Sequence, residues 1–295
     1  MNDTAVPPRA IALVVLLTLV WGTNWPLFPL AMREISVWTF RAVSVTGAGL
    51  ALLVIARLRG QSLKVPRAHW PTLIWASLTY LVIWNIASAF SAILIPSGQS
   101  AVLGFTMPLW AALFSWLALG ESLSRRQVLA VILGAVSVGL LMGPALTSYA
   151  DAPLGFGLGL LSGVGWAVGT LVLKRRPMGL PPLVLTGWQL LIAALPITIV
   201  ALVLGKGAWF VPSPTSILII AYITLVPMSI GNAAWFTIVG LLPANVASLS
   251  PILVPVVAMI SGAVVLGEPL GGLQMAAMAC SAAALSLVLI KPARR

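Results

Sequence analysis

Residues 96–123 read PSGQSAVLGFTMPLWAALFSWLALGESL, and residues 243–270 read PANVASLSPILVPVVAMISGAVVLGEPL. Laid over one another 147 positions apart and without a gap, Pro96 meets Pro243, Pro108 meets Pro255, Gly120 meets Gly267, Glu121 meets Glu268 and Leu123 meets Leu270. In both copies the mid-stretch proline stands thirteen residues before the glutamate. Outward from here the same offset pairs Thr39 with Thr186, Asn85 with Asn232 and Gln127 with Gln274. A register held this far without a gap is an internal duplication.

Each copy is apolar. The chain is 60% hydrophobic and 7% charged, with a mean hydropathy of +1.10, whereas soluble domains carry about 25% charged residues. About 20 apolar residues in a helix cross a hydrocarbon layer of roughly 30 Å. Ten such stretches are expected, near 10–30, 35–56, 70–92, 96–119, 126–143, 153–173, 181–204, 216–239, 244–266 and 270–290. The predicted class is all-α integral membrane, with ten transmembrane helices in two five-helix repeats over 10–145 and 153–290. The first stretch is too long for a signal-peptide core, and Trp21, Asn24, Trp25 and Pro26 stand where small cleavage-site residues belong. The lone Cys280, among alanines, is a packing residue.

The net charge of +11 is distributed by side. With a cytoplasmic N-terminus, the inner segments carry Arg9, Arg57, Arg59, Lys64, Arg67, Arg125, Arg126, Lys174, Arg175, Arg176, Lys291, Arg294 and Arg295. The outer loops carry only Arg33 and Lys206, and Arg41 lies within a span. This is the positive-inside pattern, with both termini cytoplasmic and no nucleic-acid patch. Five spans per half is an odd number, so the second copy enters the membrane inverted. The loop Ser124-Arg125-Arg126-Gln127 has its echo in Gly271-Gly272-Leu273-Gln274, where both arginines are gone and the loop is external. Inverted halves of this kind are a recurring construction of membrane carriers.

Leu19-Val20-Trp21-Gly22-Thr23-Asn24, Arg41 early in the second span, and the run from Ser100 through Pro108 to Gly120-Glu121-Ser122-Leu123, echoed from Ala247 through Pro255 to Gly267-Glu268-Pro269-Leu270, resemble the drug/metabolite transporter superfamily. The resemblance is to its ten-helix members with paired EamA-type domains, and it covers about residues 10–145 and 153–290. It implies two inverted five-helix bundles, with helices 1–4 and 6–9 around a central cavity and helices 5 and 10 at the periphery. It also implies a bacterial inner-membrane exporter of small metabolites, similar to amino-acid exporters including the aromatic-amino-acid group. Because members with varied cargo share an arginine like Arg41, the resemblance favours a structural role for it.

The residues themselves suggest where a pathway runs. Pro108 and Pro255 fall near the middle of spans 4 and 9, where a proline frees a carbonyl four residues back. They are either matched hinges or fixed kinks. Polar and aromatic residues at mid-depth supply the candidate binding set: Trp21, Asn24, Tyr80, Trp84, Asn85, Thr106, Trp110, Trp166, Thr170, Trp188 and Asn232. Unpaired amides are costly in lipid, so the asparagines should face the interior, either bonding between helices or lining the path. Trp21, Trp110 and Trp166 are either packing residues or pocket walls. Arg41 either snorkels and pairs with Glu34, or attracts a substrate carboxylate. The pairs Gly159/Gly163, Gly165/Gly169 and Gly139/Gly143 read as close helix contacts.

All five acids, Asp3, Glu34, Glu121, Asp151 and Glu268, fall at termini, loops or span ends. Glu121 and Glu268 read as acids at the start of the following helix. A proton pump usually carries a deep Asp, Glu or His, and none is present here. One histidine, His69, supplies neither a metal cluster nor a catalytic dyad. The expectation is a facilitative, alternating-access carrier of neutral or zwitterionic metabolites such as aromatic amino acids, methionine and threonine. No cofactor or metal is expected. The partners are the cargo and the lipid bilayer, and fused repeats suit a monomer. A membrane-embedded scaffold or enzyme is the competing class.

Overall fold

Prolines and serines mark where the helices begin. The computed structural model describes residues 7–120, 123–143, 150–204, 212–242, 247, 250–268 and 270–289, and no strand occurs among them. The helices are α1 (Pro8–Gly22), α2 (Leu27–Ala31), α3 (Val37–Leu58), α4 (Arg67–Leu94), α5 (Ser97–Gly104), α6 (Met107–Leu119), α7 (Arg125–Met142), α8 (Pro153–Arg175), α9 (Pro182–Leu204), α10 (Pro214–Leu241), α11 (Ser250–Leu266) and α12 (Gly272–Leu289). Proline occupies the first turn of α1, α8 and α10, where no N–H is required. Ser36 and Ser213 cap α3 and α10, and Ser124 with Gln127 forms a capping box on α7. At the other end, Gly120 and Gly267 follow α6 and α11 at positive φ, the left-handed conformation that glycine adopts without strain.

Five helices, α3, α4, α8, α9 and α10, are long and apolar enough to cross a membrane, and α1, α11 and α12 contain shorter apolar helical runs. Two of the stretches expected as continuous helices are interrupted. The first turns at Thr23–Pro26 between α1 and α2, and the fourth turns at Phe105–Thr106 between α5 and α6. Non-helical backbone at membrane depth persists only where protein or a cavity covers it. Pro108 is therefore not inside a continuous helix. It is the second residue of α6, and Pro255 likewise lies in the first turn of the helix Val254–Leu266. Pro108 breaks no ladder there, because the N–H it lacks is a free one in a first turn; Pro255 stands where the 3-10 turn Ser250–Leu253 that opens α11 passes into α-helix.

Two π-helical segments, Ser77–Val82 in α4 and Thr224–Gly231 in α10, start at corresponding positions of the two repeats. Packing follows the same correspondence. Helix α3 lies along α9 and α7 along α12; α4 packs on α8 as α10 packs on α1, and α5 and α6 touch α8 as α11 touches α1. Glycine lets α8 approach the break in the fourth stretch. A Cβ at Gly163 would stand 2.8 Å from Thr106 Oγ1 and 2.9 Å from the Gly104 carbonyl oxygen. Gly159, Gly165 and Gly169 are similarly confined, by Leu103, Ile83 and Tyr80. Among the described residues Gly139 and Gly143 have no neighbour within 4 Å of an added Cβ.

Loop contacts join distant parts of the chain. Glu34 accepts hydrogen bonds from the Ser213 backbone N–H at 3.0 Å and hydroxyl at 2.8 Å. These donors hold its carboxyl below the usual carboxylate range. Ser97 donates to Glu268 at 2.8 Å, so Glu268 meets the first residue of α5 and not the helix that follows it. Its counterpart Glu121 lies outside the described residues, as do Lys206, Trp209 and both chain ends. Elsewhere, Trp188 Nε1 donates to the Leu63 carbonyl at 2.9 Å, and Lys174 donates to that of Leu242 at 2.6 Å.

Candidate functional site

The interruption between α1 and α2 places Asn24 and Trp25 on a turn at the centre of the bundle. Around them gathers a cluster of rings. Trp166 of α8 lies within 5.1 Å of Trp21, 4.4 Å of Tyr80, 4.6 Å of Trp84 and 5.7 Å of Trp235, centroid to centroid. Phe105, at the break between α5 and α6, faces Trp21, Trp25 and Trp84 at 6.3, 5.9 and 5.8 Å. Most pairs are edge-on or tilted, the arrangements that contribute about 0.5–1.5 kcal/mol each beyond area burial. The cluster encloses a cavity of only ≈ 20 Å³, enough for about one water and far below the roughly 300–1,000 Å³ of ligand pockets.

The polar lining comes from α3, α4, α10 and the α1–α2 turn: Asn24, Arg41, Asn85 and Asn232. In the π segments the ladder shifts its register and side chains bond the backbone instead. Asn85 Nδ2 donates to the Leu81 carbonyl and Asn232 Nδ2 to that of Met228, each at 2.8 Å. A carbonyl can only accept, so the amide nitrogens face the helix and the Oδ1 atoms face away. Trp21 Nε1 donates to the carbonyl of Pro227 at 3.1 Å in the second of these segments. The Oδ1 atoms of Asn24, Asn85 and Asn232 are buried without a partner. An unpaired buried acceptor costs about 1–3 kcal/mol.

Arg41 is the one charge among the described residues of this wall. It is 1% exposed, and its guanidinium lies 4.3 Å from the Phe28 ring centre and 5.0 Å from that of Phe40. Its Nη2 donates to Ser88 Oγ at 3.4 Å, and its Nε has no partner. The expected pairing with Glu34 does not form, since that carboxylate is engaged by Ser213. Ring contacts contribute about 0.5–2 kcal/mol, whereas burying an uncompensated charge costs several. Among the described residues no carboxylate compensates this guanidinium.

Of the residues singled out in the sequence, Trp21, Asn24, Trp84, Asn85, Trp166 and Asn232 line this cavity together. The others lie elsewhere. Tyr80 stands behind Trp166 as its support. Trp110 donates to Thr106 Oγ1 at 3.0 Å and stacks on Phe114. Thr106 and Thr170 return their hydroxyls to the Leu103 and Trp166 carbonyls. Trp188 is 5.4 Å from Trp70 and bonds the α3–α4 loop. Pro108 and Pro255 line a second small cavity, with Phe105, Ser137, Ile252 and Ser281. Phe28 and Phe105 were not singled out in the sequence, and Arg41 stood there only as one of two alternatives. Arg41 had a signal, its charge within a span. Phe105 had none, because its position depends on a helix break that composition does not reveal.

A family profile described as "EamA-like transporter family" matches residues 8–143 and again 153–290. The chain is 30% identical over 281 residues to a "Probable amino-acid metabolite efflux pump" of Salmonella typhimurium, covering 90% of this chain and 89% of that protein. It is 26% identical to "Uncharacterized transporter YvbV" of Bacillus subtilis, over 89% and 85% of the two chains. It is 25% identical to "Uncharacterized inner membrane transporter YedA" of Escherichia coli K12, over 92% and 88%. A solved structure titled "Crystal structure of protein" shares the fold, with a TM-score of 0.75 at 20% identity over 94% of this chain and 95% of that one. With both of its halves matched by that profile, this multi-pass membrane chain belongs to the EamA-like transporter family.

Proposed function

We propose that this transporter of the bacterial inner membrane exports neutral or zwitterionic amino acids and related metabolites by alternating access at the central aromatic cavity. The observation that carries the reading is the set of unpartnered carboxamide oxygens on Asn24, Asn85 and Asn232 around one buried space. A scaffold would have no use for buried acceptors left without donors, and the lining offers no paired acids or nucleophile–base arrangement for an enzyme. Relatives in two bacteria are named amino-acid metabolite efflux pumps.

The carrier has ten membrane passes in two inverted halves, with α1–α2 and α5–α6 each forming one broken pass. Matched π segments, glycine caps and helix pairs at the repeat offset support that arrangement. Pro108 and Pro255, which both line the second cavity, act as hinges in this reading. Opening separates the halves and admits a cargo larger than the closed space. The protein works as a monomer by facilitated diffusion or exchange. Counterflow of radiolabelled amino acids in proteoliposomes tests the function; absence of flux across a panel of neutral, aromatic and hydroxyl amino acids overturns it. Uphill uptake driven by an imposed proton or sodium gradient alone overturns the facilitative part.

A further inference from the structure

We infer that Arg41 binds the carboxylate of the cargo while the carboxamide oxygens of Asn24, Asn85 and Asn232 receive its ammonium group, so that an intact α-amino-acid end is required for transport. The inference rests on the central cavity being the transport site.

The chemistry of the two ends differs as an amino acid requires. A guanidinium has five N–H donors and no acceptor. Phe28 and Phe40 approach the Arg41 guanidinium as ring partners, and Ser88 takes one donor at the long distance of 3.4 Å. Donors remain, Nε among them, on a side chain that lines the cavity. A planar fork of this kind matches a carboxylate, often in bidentate fashion. The three carboxamide oxygens can only accept, and Asn85 and Asn232 hold theirs away from the helix because each amide nitrogen donates to a backbone carbonyl. An ammonium carries three N–H donors, one for each oxygen.

The repeat sharpens this assignment. Asn85 and Asn232 are counterparts, so both halves supply an acceptor. The counterpart of Arg41 is Trp188, which bonds to Leu63 outside the cavity. The cation therefore occurs once, in a wall whose Asn85 and Asn232 are matched between the halves. A neutral cargo without a carboxylate would leave the buried guanidinium uncompensated in every loaded state. A structural arginine would be expected to have a carboxylate partner, and among the described residues none pairs with Arg41.

The test uses the amino acid that the intact carrier exchanges fastest, together with its primary amide and its decarboxylated amine. Removing one partner of a buried hydrogen-bonded charge pair costs about 30-fold or more. Wild-type counterflow should therefore favour the amino acid over its amide and amine by about 30-fold or more. In Arg41→Gln that ratio should collapse to within a few-fold, and Arg41→Lys should restore part of it. Equal wild-type flux for amino acid, amide and amine overturns the inference while the transport reading stands, and no variant is needed for that result. A uniform loss in Arg41→Gln with the ratio preserved also overturns it, since that is the behaviour of a packing residue. Absence of flux for every carboxylate-bearing compound overturns both readings.

Discussion

Asn85 and Asn232 are counterparts in the two repeats and make the same bond, each donating Nδ2 to the carbonyl four residues earlier at 2.8 Å. Each bond lies at the end of a π-helical segment, and each leaves an oxygen without a partner at the cavity wall. The helix irregularity, the side chain and the cavity are thus one device made twice. The π register leaves backbone carbonyls available, the carboxamide takes one, and its other end becomes an oriented acceptor. A serine at either position has too short a reach to do both.

Alanine at Asn85 or Asn232 should lower the maximal exchange rate by about 10-fold each, in line with a lost hydrogen bond to a charged group of roughly 1.5–3 kcal/mol. The two losses should be equal within a factor of about three, because the geometry is matched. Thermal unfolding in detergent should hardly change, since each substitution removes an unsatisfied acceptor together with one bond. A silent variant at one position and a dead one at the other would show that only one half reads the ammonium.

Glu34 offers a pH-dependent contact outside the cavity. Hydrogen bonds from Ser213 lower its pKa, so the contact is intact above the ordinary carboxylate range and is lost as pH falls through the lowered value. Amide exchange over residues 213–217, corrected for its intrinsic rate, should accelerate as pH falls below the ordinary carboxylate range. In Glu34→Ala it should already be fast at neutral pH and show no such step. A step that persists in the variant would assign it to another group.

The duplication, the apolar class and the pair Asn85/Asn232 were legible in the sequence because each leaves a mark at a fixed offset. The breaks were not. Pro108 reads as a mid-span proline whether its helix is kinked or begins anew at Met107, and only the turn at Phe105–Thr106 distinguishes the two. Glu268 reads as an acid at the start of the following helix, yet its partner Ser97 is 171 positions away in chain order. Arg41 was visible as a charge, but the engagement of Glu34 by Ser213, which leaves it without a carboxylate, is a tertiary fact. The π segments have no compositional signature and became visible only as backbone geometry.

Topology has a direct check. On a Cys280→Ser background, a cysteine at Gly271 should react with impermeant thiol reagents added outside the cell. One at Ser124 should react only after the membrane is opened. The two loops are repeat counterparts three residues past each glutamate, so opposite labelling is what inverted halves require. Labelling from the same side would remove the inversion, and the reverse pattern would place the N-terminus outside.

The ring cluster should set which side chains travel. Trp166 touches four rings and lines the cavity, so its removal acts on packing and on cargo at once. Trp166→Ala would open a void costing about 3–5 kcal/mol, and its flux would be hard to interpret. Trp166→Phe keeps a ring of smaller area and is the better probe. Aromatic amino acids and methionine should cross faster than glycine or aspartate in the wild type, because they replace the ring contacts that opening disrupts. In Trp166→Phe, phenylalanine exchange should fall by about 3–10-fold, corresponding to one ring contact of roughly 0.5–1.5 kcal/mol. Threonine exchange should change by less than about two-fold, since its short side chain leaves that wall unfilled. Both fluxes are measured at equal reconstituted protein. An equal fall for phenylalanine and threonine would mean that Trp166 holds the helices together and that the cargo is read elsewhere.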